Sequence, residues 1–138
     1  MVSIHRIILL SAAVLLAGCA AQRVIQPAAD GLPASQIAII ATTAKKPQNG
    51  VTVSLERVTD AQGKDVVSLD LMSQDIRDTA VVVPGRYEIQ VTCVLGSQAV
   101  EPRGKFDLRG GYTYVFNCER EGFRAHLVAA EIATATPH

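Results

Sequence analysis

Residues 79–95 read TAVVVPGRYEIQVTCVL. A short apolar run enters Pro84-Gly85, and beyond it Tyr87, Ile89, Val91, Cys93 and Leu95 alternate with Glu88, Gln90 and Thr92. Side chains of period two stand on opposite faces of a strand, so one face is core and the other mostly wet. Proline sets φ for a turn and glycine tolerates conformations closed to other residues, so Pro84-Gly85 marks where the strand begins. Short apolar runs separated by turn residues at intervals of about ten continue on both sides, which is the signature of an all-β sandwich.

Towards the N-terminus, QIAIIAT (36–42) and VTVSLERV (51–58) read as strands. The turn at 45–50 between them carries Asn49-Gly50, both tolerant of positive φ, and predicts a hairpin. A second turn at 60–65 leads into VVSLDL (66–71), and MSQDIRD (72–78) fits either a turn or an irregular strand start. Towards the C-terminus come a loop at 96–104, KFDLR (105–109), a tight turn at Gly110-Gly111 and YTYVFNC (112–118). A final strand is expected over 123–132, although AHLVAAEIA also fits a short helix on propensity. The expectation is a small antiparallel β-sandwich, immunoglobulin-like or transthyretin-like, of about seven to eight strands over residues 36–133, with a tail at 134–138.

The segment VVVPGRYEIQV, followed later by a strand, a glycine pair and YTYVF, resembles the small sandwiches of PEGA type and transthyretin-like shape found on bacterial surfaces and in lipoproteins. The resemblance covers about forty residues, and it implies a fold and no chemistry.

The start of the chain has another organisation. Arg6 precedes an apolar stretch at 7–16 interrupted by Ser11, then the small residues Ala17 and Gly18, the parts of a secretory signal. So short a run does not span a bilayer, because a helix rises about 1.5 Å per residue against a hydrocarbon core of about 30 Å. Leu16-Ala17-Gly18-Cys19 resembles the lipobox of bacterial lipoproteins, cut before the cysteine by signal peptidase II. The resemblance implies that residues 1–18 are removed and that Cys19 carries a diacylglycerol and an N-acyl chain such as palmitate. Two or more chains give stable membrane anchoring. Ala20 follows in place of the aspartate that resembles an inner-membrane retention signal, so outer-membrane delivery facing the periplasm is expected. Residues 19–35, with Pro27, Gly31 and Pro33 and no sustained period, read as the lipidated N-terminus and a flexible tether reaching at most roughly 55 Å.

The chain carries 13 basic and 13 acidic residues, and the signal segment removes one basic residue, Arg6. No basic stripe points to nucleic acid, and Lys45-Lys46 reads as a solvated turn. With Cys19 lipidated, Cys93 and Cys118 remain as an even pair in a disulfide-permissive compartment. Both fall on the apolar faces of their strands, so a bond between them needs no change of register; two buried thiols on separate strands are the alternative. Two sulfurs without histidine or carboxylate at ligand spacing fall short of a zinc site, and there is no Cys-x-x-Cys.

Catalytic groups are sparse. His126 sits in the last apolar segment beside Arg124 and reads as a strand histidine, and His138 is the final residue. Ser35, Ser54, Ser68, Ser73 and Ser97 lie in no Gly-x-Ser-x-Gly context. Asp70, Asp75 and Asp78 lack the glycine and distal glutamate of a calcium loop. The sequence therefore predicts a non-enzyme with no cofactor or metal: an anchored structural or interaction module whose partners are the membrane and an envelope protein or peptidoglycan. The alternative is a periplasmic ligand-binding or hydrolase-inhibitor lipoprotein using the loop at 96–104, with Glu101 and Arg103, and Tyr87, Tyr112 and Tyr114. These tyrosines also read as core residues with polar tips, and no tryptophan offers a sugar platform.

Overall fold

The computed structural model describes residues 23–42, 51–68, 79–122 and 124–134. Ten strands are present among them: β1 (Arg23–Ile25), β2 (Ala38–Thr42), β3 (Val51–Thr59), β4 (Asp65–Ser68), β5 (Thr79–Val82), β6 (Gly85–Leu95), β7 (Gln98–Val100), β8 (Arg103–Leu108), β9 (Tyr112–Glu121) and β10 (Arg124–Ala133). They form two sheets, one ordered β1-β5-β2-β9-β10 and the other β4-β3-β6 with β7 and β8 both along the far side of β6. The fold is all-β and sandwich-like. Most pairings are antiparallel, but β1 pairs parallel with β5 and β2 parallel with β9.

The inner faces close on one core. Ile40, Val53, Leu55, Val58, Val82, Ile89, Val91, Cys93 and Phe116 are almost completely buried, and among the described residues no charged or polar side chain is buried with them. The expected face of β6 is realised: Tyr87, Ile89, Val91 and Cys93 point inward. On β3 the alternation breaks, with Val53 and Leu55 buried and then Val58. A register shift against β6 between Leu55 and Arg57 explains it, since a bulge inserts one residue and returns the next apolar side chain to the core. Phe116 meets Phe106 from the opposite sheet edge to face, with centroids 4.9 Å apart and planes at 80°.

Several expectations are corrected. Residues 36–58 do not form a hairpin, because β2 and β3 belong to different sheets; the turn expected at 45–50 lies outside the described residues. The strand expected from 36 starts at Ala38, after a single 3-10 turn at Ala34–Gln36. The stretch read as a tether is folded from Arg23 onward: β1 extends the sheet beside β5, a 3-10 turn follows at Pro27–Ala29, and Ala29 is buried. Main-chain hydrogen bonds and apolar contact hold this segment despite its prolines, because Pro27 opens the 3-10 turn, where no N–H is required.

The loop expected at 96–104 is instead a second arm along β6. Leu95 pairs with Gln98 around a two-residue turn with Gly96 at φ 62°, and Cys93↔Val100 and Gln90↔Arg103 keep one register past Pro102. The final segment is strand, not helix, and pairs with β9 from Arg124↔Glu121 to Ala133↔Tyr112. The turn after β3 is as expected: Gly63 has φ 79°, and the Asp60 carboxylate accepts from Gln62 N–H (3.0 Å) and Lys64 N–H (2.9 Å).

The two outer faces differ. On the β3-β6-β8 sheet Ser54 lies opposite Thr92, Glu88 opposite Lys105 and Arg86 opposite Asp107, with the exposed Val94 opposite Thr52 at the end of the same face. On the other sheet the registers align Ile25, Val81, Ile39, Thr113 and Ile132 in one row on the side away from the core, within which Val81 is nevertheless buried. The runs AIIA in β2 and AVV in β5 are apolar at successive positions and so place apolar side chains on both faces.

Candidate functional site

The strongest constellation joins the two sheets. Cys93 on β6 and Cys118 on β9 lie at disulfide distance, with Cα atoms 6.4 Å apart, inside the usual range for a bridge. Both side chains are buried, and the pair spans the space between the two sheets.

Around it, two tyrosines latch the corners where the chain passes from one sheet to the other. Tyr87 donates its hydroxyl proton to Val83 O across Pro84-Gly85 (2.7 Å). Tyr114 accepts from Arg109 N–H across Gly110-Gly111 (2.8 Å). In each case a corner carbonyl or amide that leaves its sheet is satisfied by a buried side chain further along the chain, which an apolar residue cannot supply. Gln26 strengthens the first corner, its amide oxygen accepting from Val83 N–H at 2.9 Å. Burial pushes both phenols above their ordinary value; at Tyr87 the Asp60 carboxylate adds to the rise, and at Tyr114 Glu131 does.

At the second corner, Arg109 pairs with Glu131 of β10 and lies over the Tyr112 ring, 4.4 Å from its centroid. The carboxylate partner holds the guanidinium protonated, and the guanidinium in turn lowers the Glu131 carboxyl. Gly110 is confined here, because a Cβ at that position would collide with Ser35 O.

The other singled-out residues do not converge. Cys19, Lys45, Lys46, Asp70, Ser73, Asp75, Asp78 and His138 lie outside the described residues. Ser35, Ser54 and Ser97 occupy a 3-10 turn, the outward side of β3 and the β6–β7 turn, and Ser68 ends β4. His126 is half-exposed with Nε2 3.5 Å from Glu119 Oε2, an ordinary cross-strand pair. Glu101 and Arg103 are exposed at the bend between β7 and β8. Tyr87 and Tyr114 are 3% and 4% exposed, so they offer no platform to a ligand.

An open groove of about 330 Å³ runs over Thr59, Asp60, Gly63, Arg86, Glu88 and Lys105, with both signs of charge on its walls. Among the described residues, no group of three histidine, cysteine, aspartate or glutamate side chains could hold a metal, and no helix is long and apolar enough to cross a membrane. Sequence reading missed the two latches. The signal was present in the tyrosines that closely follow Pro84-Gly85 and Gly110-Gly111, but it needs a sandwich corner to be meaningful. Comparison with protein-family models, with curated proteins and with solved structures gives no match.

Proposed function

We propose that this chain is a lipid-anchored, non-catalytic envelope lipoprotein, held by Cys19 at the outer membrane and facing the periplasm. The observation that carries the reading is Leu16-Ala17-Gly18-Cys19 behind the apolar run at 7–16. A pair of cysteines at disulfide distance supports it, because such bonds form and persist outside the cytosol. The fold is read more finely as an immunoglobulin-like or transthyretin-like sandwich, serving as a structural or interaction module for an envelope protein or peptidoglycan. An anchored module gains from raised local concentration at its membrane, so modest contacts suffice for assembly.

The test is intact mass and membrane fractionation in a Gram-negative host, wild type beside Cys19→Ala. The expected product starts at Cys19, is heavier by its acyl groups, and leaves the outer-membrane fraction in the variant. A soluble, unmodified wild-type product would overturn the anchor. Crosslinking in intact cells followed by pulldown then tests the interaction role, and recovery of no partner above background would remove its support.

A further inference from the structure

We infer that the outer face of the β1-β5-β2-β9-β10 sheet lies against the lipid surface that holds Cys19, so that the domain rests face down on its membrane. This rests on the anchor reading above and adds an orientation to it.

The first argument is the length of the leash. From Cys19 to the start of β1 at Arg23 the chain advances four residues, which span at most about 14 Å when fully extended. A folded segment that begins so soon leaves little freedom: the β1 edge of this sheet is held at the bilayer surface. Had residues 19–35 been a free tether, the anchor would have set no orientation.

The second argument is what that edge presents. The outer faces of the two sheets differ in how their charges are spread. The face carried by β3, β6 and β8 bears Arg86 opposite Asp107 and Glu88 opposite Lys105, charged groups that lose hydration against lipid. The row beginning at β1 has exposed apolar side chains at its two ends, Ile25 (47% exposed) and Ile132 (55% exposed), with Ile39 partly exposed between them, Val81 buried and Thr113 the one polar member. The next row runs from Arg23 and Thr79 to Ala41, Val115 and Ala130, and a shallow depression of about 540 Å³ is lined by Val115, Val128, Ala130 and Ile132 together with Asn117 and Glu119. Ile25 and Ile132, with Ile39 and Val128 partly exposed between them, give this face two of the four large apolar side chains exposed among the described residues, against Val94 alone on the other face. Towards the β9–β10 turn the face becomes polar at Glu119 and His126, which suits a shallow seat at headgroup level and not insertion into the hydrocarbon.

The absence of tryptophan makes the test direct. Ile132→Trp, Ile25→Trp and Gln90→Trp each create a single reporter, the first two on the proposed contact face and the third on the polar face. The full chain is expressed with its signal, purified in its acylated form, checked by intact mass and reconstituted into phosphatidylethanolamine/phosphatidylglycerol vesicles containing brominated lipid. The expected result is strong lipid quenching and weak iodide quenching at positions 25 and 132, with the reverse at 90. Two reporters on one face keep the test decisive if one variant misfolds.

Acylated protein in which position 132 or 25 is as open to iodide as position 90 would overturn the orientation and leave the anchor standing. Protection at 132 that persists in unacylated Cys19→Ala protein free of lipid, with a doubled mass, would overturn it in favour of a second copy. A wild-type mass without acyl groups would overturn the anchor and the orientation together.

Discussion

Replacing the two core cysteines, singly and together, tests whether the sheets are joined covalently. If Cys93 and Cys118 are bonded, the bond closes a loop with a sequence separation of 25 residues, and its loss returns about 3.5 kcal/mol of loop entropy to the unfolded chain. Removing the first sulfur already removes the bond, so Cys93→Ala, Cys118→Ala and the double variant should be destabilised by similar amounts. Each should lose about 3.5 kcal/mol plus roughly 1 kcal/mol for sulfur packing. For a domain of this size that is about 15 °C in Tm, or about 2 M in the urea midpoint. Two unlinked buried thiols behave otherwise: each substitution costs about 1 kcal/mol and the double is their sum. The assay is urea unfolding of the folded domain expressed under oxidising conditions, followed by circular dichroism with and without reductant. Additive single effects, or a wild-type midpoint unmoved after unfolding and refolding in reductant, would refute the covalent cross-link.

The remaining expectations concern the corners. Tyr87→Phe leaves Val83 O without its buried donor, and Tyr114→Phe leaves Arg109 N–H without its acceptor; each should cost about 1–2 kcal/mol by urea unfolding. Because burial raises both phenols above their ordinary value near 10, the folded state resists ionisation that the unfolded chain undergoes freely, so stability holds below about pH 10 and falls as pH rises through the folded values. The Tyr87→Phe/Tyr114→Phe double variant should show a flatter alkaline limb. Glu131 titrates in the opposite sense: its lowered carboxyl contributes stability present above its ordinary value and lost as acidification passes through the folded one, and Glu131→Gln should remove that small acid-side loss. Gly110→Ala should destabilise by about 2 kcal/mol or more, since its Cβ meets backbone at Ser35, whereas Gly63→Ala, with open space around it and only a positive φ to pay for, should cost about 1 kcal/mol. Equal effects at the two glycines would contradict the close approach at the second corner.

Strand identity was legible where alternation was strict. Glu88, Gln90 and Thr92 outward against Ile89, Val91 and Cys93 inward define β6 without reference to any partner, and the Asp60–Gly63 turn is written in residues that hydrogen-bond locally. The second arm along β6 was present as Gly96-Ser97 but was obscured by Pro102 and Gly104, which read as loop residues and are tolerated beside β6. Of the site, the cysteine pair was legible from its faces; the tyrosine latches were not, because a hydroxyl reveals its role only when its corner exists.

The sequence by itself determined an all-β chain, the inward face of its clearest strand and a cysteine pair that needs no slip in register. Tertiary structure alone decided sheet membership. Pro84-Gly85 and Gly110-Gly111 set local dihedrals that serve equally for a hairpin and for a corner, and here each carries the chain from one sheet to the other. It also decided that β2 lies parallel to β9, and that residues 23–36 belong to the folded unit. Such choices depend on apolar surface that distant strands bury together, and no local period encodes which strand will supply the other half of that surface.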